Sequence, residues 1–364
     1  MRVGILLACV LLSAPDDIRA IQVRLLEKPI ASELEINEQV LALTPEQVPK
    51  LIERASSDDV QAQCILGVAY GRGKSVPRDD AQAIKWLNRV VIRGDGWVQN
   101  LLGSLYRRRG SVPQDYLEAV RWFRAAAEQH YPVAADNLGY MYLNGKGVTK
   151  DYAQAAHWYA IGADEGYAPA QNNLAQLYEH GIGVHKNYTT ALNLYRQAAQ
   201  KGLASAENNL GAMYEAGLGV SKDYNEAVKW YQASAEQGEP VGQSNLAFMY
   251  AHGQGVKLDF SEAAKWYARA AESGYAPAQG RLAQLYETGQ GVPLDYVAAY
   301  SWYVRAASGG HEPSKQAIAL LSQRMTSKQL QAVRSELLNQ ERAEESPGGV
   351  IVEKKLPGQQ WPKK

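Results

Sequence analysis

Leu138-Gly139-Tyr140-Met141-Tyr142 returns 36 residues later as Leu174-Ala175-Gln176-Leu177-Tyr178, then as Leu210-Gly211-Ala212-Met213-Tyr214 and Leu246-Ala247-Phe248-Met249-Tyr250. Leu102 to Tyr106 and Leu282 to Tyr286 keep the same interval, and a looser copy runs from Leu66 to Tyr70. Seven copies in phase, with no insertion or deletion between them, mean one small supersecondary unit stacked on copies of itself. Such a unit does not bury its apolar face alone, so the question of function becomes a question about a surface.

Within each unit the motif predicts a first helix. Small residues three positions before an asparagine column, Ala134, Ala170, Ala206, Gly242 and Ala278, let neighbouring helices approach closely. Gly-x-Gly-Val follows at 145–148, 181–184, 217–220, 253–256 and 289–292, and paired glycines at a helix end suit positive φ. A second helix is announced by Asp79, Asp115, Asp151, Asn187, Asp223, Asp259 and Asp295, each able to accept free N–H groups of a first turn. Gln82, Glu118, Gln154, Glu226 and Glu262, three residues on, predict capping boxes. Trp86, Trp122, Trp158, Leu194, Trp230, Trp266 and Trp302, with the motif tyrosines, are expected to form the core between stacked hairpins. Gly94, Gly166, Gly202, Gly238, Gly274 and Gly310 end the second helices, and His130 breaks that column.

Taken together, Leu-Gly-x-x-Tyr, Gly-x-Gly-Val, Asp-Tyr, Ala-x-x-Trp-Tyr and Ala-Ala-x-x-Gly resemble the Sel-1-like repeat, a relative of the tetratricopeptide repeat. The resemblance implies an all-α fold, a right-handed α/α superhelical solenoid of seven 36-residue helix-turn-helix repeats with capping helices. It also implies an adaptor or scaffold that holds other proteins or peptides, without catalytic residues or cofactors. Some bacterial members staple each unit with a disulfide; only Cys9 and Cys64 occur here, so that branch is the less similar one. The expected organisation is a signal peptide at 1–20, N-terminal capping helices at 21–58, the repeats at 59–310, C-terminal capping helices at 311–345 and a tail at 346–364.

The 38 basic and 38 acidic side chains cancel, so no general field gathers nucleic acid or presses the chain onto an anionic membrane. Met1-Arg2, the apolar run Val3 to Leu12 and Ser13-Ala14 resemble a short secretory signal, which predicts a secreted or periplasmic protein. Leu6-Leu7-Ala8-Cys9 leaves a lipid anchor open as an alternative. The apolar run is too short for a stable membrane span.

Related solenoids bind peptides along the concave face made by the first helices. On that face Asn137, Asn173, Asn209 and Asn245 form a column of amides, each able to donate to and accept from any peptide backbone. The same amides equally suit bonds to the neighbouring hairpin. Three residues on the column varies, with Tyr140, Gln176, Ala212, Phe248 and Gln284, and Phe248 is a plausible anchor. Asn144, His180 and His252 are expected to rim the groove. A second expectation, an envelope enzyme or enzyme modulator acting on cell-wall or beta-lactam-type amides, has no Ser, Cys or carboxylate pair behind it. His180 and His252 stand two repeats apart, too far to share a metal ion, and Gly73-Lys74-Ser75 lacks the earlier glycine of a phosphate loop. Cys64, beside Ile65 and Leu66, suits an inert buried thiol.

Overall fold

The structure, a computed structural model, describes residues 31–110 and 112–344, and the regular elements among them are all helical. The expected signal segment with Cys9 and the expected tail lie outside the described residues. Two helices, α1 (Glu33–Ala42) and α2 (Val48–Ser56), come before the repeats, joined through a 3-10 turn at Pro45–Gln47. Seven hairpins follow: α3 (Val60–Arg72) with α4 (Asp80–Val90), α5 (Gly96–Arg107) with α6 (Tyr116–Ala127), α7 (Pro132–Asn144) with α8 (Tyr152–Asp164), α9 (Ala168–His180) with α10 (Tyr188–Gln200), α11 (Ala204–Ala216) with α12 (Tyr224–Glu236), α13 (Pro240–His252) with α14 (Phe260–Glu272), and α15 (Ala276–Thr288) with α16 (Tyr296–Ser308). After the repeats come α17 (Glu312–Arg324) and α18 (Ser327–Glu344). None of the described helices is long and apolar enough to cross a membrane.

Contacts divide the chain into two compact units: the chain up to Ala170 with Ile182–Val184, and Gln171–Gly181 with the chain from His185 on. In the first, each hairpin closes on itself, and α4 and α6 pack on α5 and α7 of the next repeat. In the second, α10, α12, α14 and α16 likewise pack on the next first helix. Each hairpin thus buries its apolar stripe against its neighbour, as a solenoid requires.

The motif tyrosine closes the hairpin through its backbone. The N–H groups of Asp79, Asp115, Asp151, Asn187, Asp223, Asp259 and Asp295 donate to the carbonyls of Tyr70, Tyr106, Tyr142, Tyr178, Tyr214, Tyr250 and Tyr286 at 2.9–3.1 Å. The Asp side chains cap as expected, accepting from Gln82 N–H or from pairs such as Leu117 and Glu118. The expected capping boxes are corrected for the same reason. With the cap N–H already bound to tyrosine, Glu118, Glu226 and Glu262 turn instead to Arg121, Lys229 and Lys265 one turn on.

Gly-x-Gly-Val does two separate things. Its first glycine, such as Gly145 at φ +65, is the left-handed residue that ends the first helix. Its second approaches the previous repeat: a Cβ on Gly147 would lie 2.2 Å from the Tyr116 carbonyl oxygen.

The aromatic core is wider than expected: Trp86 and Trp158 of the expected column are buried, the rest of that column packs at its edge, and the neighbouring column is buried as well. Trp122, Trp230, Trp266 and Trp302 are half-buried, as are the motif tyrosines, whereas the residue after the tryptophan column is sealed: Leu87, Phe123, Tyr159, Tyr195, Tyr231, Tyr267 and Tyr303. These rings press onto the small second residue of the motif, where a Cβ on Gly139 would stand 2.7 Å from Tyr159. That contact explains why the motif admits only Gly or Ala there.

Candidate functional site

Within each unit the first helices present a face on which the asparagine column and the varying column lie together. Their flanking motif residues, such as Leu138, Gly139 and Met141 or Leu246, Ala247 and Met249, are buried. Asn137, Tyr140, Asn173, Asn209, Asn245 and Phe248 are half-buried; Asn144, Gln176, His180, His252 and Gln284 are exposed.

In the first unit Asn137 spends one amide hydrogen on Asn100 Oδ1 at 3.0 Å, in the preceding repeat. Tyr140 is the centre of a basic-aromatic cluster. Lys146 Nζ donates to its hydroxyl at 2.8 Å and lies 4.9 Å from its ring and 5.7 Å from that of Tyr116. The Arg107 guanidinium is 5.9 Å from the Tyr140 ring. Asn144 turns back, donating to the Tyr140 carbonyl at 2.9 Å.

In the second unit Asn209 donates to Asn172 Oδ1 at 3.0 Å and Asn245 to Asn208 Oδ1 at 2.8 Å. Asn137, Asn209 and Asn245 therefore form rungs between repeats, each joining residues 37 apart in the sequence. Phe248 stacks on His252 with ring centroids 3.9 Å apart and planes 29° apart, and His252 Nδ1 lies 2.9 Å from the Phe248 carbonyl oxygen. His180 Nδ1 stands 3.0 Å from the Gln176 carbonyl oxygen in the same way. Both imidazoles thus second the last-turn carbonyls, which leaves each Nε2 directed away from its helix end.

Two features were not anticipated. Lys146 is the middle residue of Gly-x-Gly, a place that varies as Lys146, Ile182, Leu218, Gln254 and Gln290 between constant glycines. That variation was the available signal. The second is at repeat one, where the face is closed: Cys64, Ile65 and Val68, in the columns that hold amides and aromatics elsewhere, are buried with Ile36 and Val40 of α1 in a single apolar cluster. Burial pushes the Cys64 thiol up to about 12, which fits an inert side chain. Among the described residues no three His, Cys, Asp or Glu side chains gather as a metal site.

Known proteins fit this geometry. The Sel1 repeat matches seven stretches, 60–89, 98–131, 132–167, 168–203, 204–239, 240–275 and 276–311. A protective antigen present in uropathogenic Escherichia coli strains, displaying an SLR fold, is similar at 32% identity and a TM-score of 0.67 over 80% of this chain and 64% of the antigen. This chain therefore spans a little under two thirds of that antigen's length. A Sel1 repeat protein from Oxalobacter formigenes is similar at 32% identity and a TM-score of 0.63, over 76% of this chain and 80% of the other. No curated protein is significantly similar. With the hairpin closure, the paired glycines and the seven matched stretches in agreement, this chain belongs to the Sel1 repeat family.

Proposed function

We propose that the first-helix face holds a peptide or the edge of another protein, and that the array acts as an adaptor or scaffold in an exported setting. Sel1 repeat proteins are generally protein-interaction scaffolds and typically not catalysts. The observation that carries the reading is the column Tyr140, Gln176, Ala212, Phe248, Gln284. Its neighbours in the motif are buried and nearly constant, whereas this position is half-buried or exposed and changes from aromatic to amide to methyl. Tyr140, Ala212 and Phe248 rest one side on the core and keep the other open, and where packing tolerates such different side chains, a ligand is free to set the choice among them. Phe248 is backed by His252 and offers a flat apolar anchor, the kind of residue that dominates interface energies. The asparagines support it in a secondary way: Asn137, Asn209 and Asn245 each give one donor to the preceding repeat, and an amide has a second donor and two acceptor sites.

Phe248→Gln tests the reading cleanly, because Gln176 and Gln284 show that the repeat accepts glutamine there. Partner recovery from the native cell fraction is expected to fall at least about tenfold, with the melting temperature lowered by no more than about 4 °C, because one side of the ring packs on the core. Undiminished recovery would remove Phe248 from the interface. The exported setting rests on the Met1 to Ala14 pattern, and recovery of the tagged chain solely from cytoplasm would dismiss it.

A further inference from the structure

The helix α1 departs from the arrangement of the repeats. Thr44 stands one 36-residue interval before Asp80, so α2 takes the place of a second helix in a hairpin before the first. A first helix of that hairpin would pack along α2, as α3, α5, α7, α11, α13 and α15 do along their own partners. Instead α1 packs on α3. Its Ile36 and Val40, one turn apart, are wholly buried together with Ile65 and Val68 of α3, and Trp97 and Leu101 of α5 pack against the same cluster.

The polar contacts trace the same path across successive repeats. Ser75 donates to the Leu43 carbonyl at 2.6 Å and Gln61 to Gln39 Oε1 at 2.9 Å, both from repeat one. At the other end of α1, the Tyr131 hydroxyl donates to Glu33 Oε2 at 2.5 Å, and Tyr131 opens the first helix of repeat three. Ten residues of helix thus lie on α3, held at both ends of it by Gln61 and Ser75, with Glu33 reaching the start of the first helix of repeat three. At repeat one, where α1 packs, the asparagine and varying columns hold the buried apolar Ile65 and Val68; in repeats three to six the asparagine column is a half-buried amide. The hold is modest, since three buried side chains, Ile36, Val40 and Leu43, and three hydrogen bonds are set against the ordering of ten residues. Leu34 and Leu41 on the outer side of α1 remain exposed.

We infer that α1 is a tethered, displaceable occupant of the first-helix face over repeats one to three, and that its replacement is an amphipathic helix of a partner protein with the same pattern. That pattern is two β-branched side chains one turn apart and a carboxylate in the first turn, to meet Ile65, Val68 and the Tyr131 hydroxyl. The inference rests on the reading of this face as the binding face. Its test needs no partner and does not involve Phe248, so the two fail separately.

The probe is a fluorescent synthetic peptide of residues 31–44, titrated by anisotropy into the full chain and into a full chain carrying Ile36→Asp and Val40→Asp. The released chain is expected to bind the peptide at least tenfold more tightly than the parent, and a peptide carrying the same two substitutions is expected not to bind. Equal binding by parent and released chain, or none by either, overturns the inference. Hydrogen exchange on the unaltered full chain covers the case in which the variant misfolds. The amides of 33–42 are expected to exchange at least a hundredfold faster than those of α5, whereas exchange of α1 and α5 in one step makes α1 a fixed cap and overturns it. A concentration-dependent dimer of the parent chain in sedimentation, abolished by the two substitutions, would assign the occupant to a second copy and overturn the assignment to a partner.

Discussion

At the scale of single residues, this chain separates two demands that glycine meets. Gly147 and Gly202 both have positive φ, +70 and +78, but a Cβ on Gly147 would meet the Tyr116 carbonyl at 2.2 Å whereas one on Gly202 would meet nothing within 4 Å. Gly202→Ala is expected to cost about 1 kcal/mol, the left-handed penalty alone. Gly147→Ala adds displacement of the neighbouring backbone and should cost about 3 kcal/mol or more in urea unfolding. Similar losses would show that the second glycine serves conformation only. Glu207 gives a test with a pH dependence. It occupies a column where Gln63, Gln243 and Gln279 donate to the end of the preceding second helix, at Ala55, Ala235 and Ala271. A carboxylate has no hydrogen to donate there, and Glu207 instead accepts from Gln237 at 2.7 Å. Burial holds its carboxyl above the ordinary range, against the opposing pull of that bond, so the fold disfavours the ionised form. Its contribution to stability is complete below the ordinary carboxyl pKa and is lost as pH rises through the raised value. Glu207→Gln should therefore melt higher than the parent at pH 7.5, by roughly 1–2 °C, with the gap closing toward pH 4. A gap that is constant with pH would mean that the carboxyl charge is not what the fold resists.

At the scale of the helix and hairpin, the sequence is legible wherever one residue type answers one backbone need. The left-handed glycines and the Asp caps were both readable for that reason. The capping boxes were not, because what decides them is whether the cap N–H is free, and here the tyrosine carbonyl nine residues back has taken it. The second core column has a similar origin. A one-residue step turns a side chain by about 100° around a helix, so the tryptophan column did not announce that its neighbour is buried too; Trp158 and Tyr159 are both core, and Tyr159 fills the space above Gly139. The amides illustrate a third limit. Spacing placed Asn209 and Asn245 on the first-helix face, yet their bonds to Asn172 and Asn208 depend on side-chain reach between repeats. Asn245→Ala is accordingly expected to lower stability by about 1 kcal/mol even without ligand, as judged by chemical denaturation. No loss at all would make the rung incidental and return the asparagine wholly to binding.

At the scale of the whole molecule, the account is of repeated packing within each unit that leaves one face of the first helices to chemistry of its own. The columns wholly enclosed by the stack are nearly constant, and the half-open one varies, so the ligand is written in the residues that the fold holds by one side only. Repeat one illustrates the converse, since its apolar Ile65 and Val68 mark where the chain covers that face itself, a departure visible in the sequence once the columns are aligned. The most direct measurement is site-specific photo-crosslinking in living cells, with the reactive residue placed in turn at Gln176, His252 and Gln284 of the first helices and at Lys229 and Lys265 of the second helices. All five are exposed. The account predicts adducts to one common partner from the first three positions and none from the last two; adducts confined to Lys229 and Lys265 would contradict it.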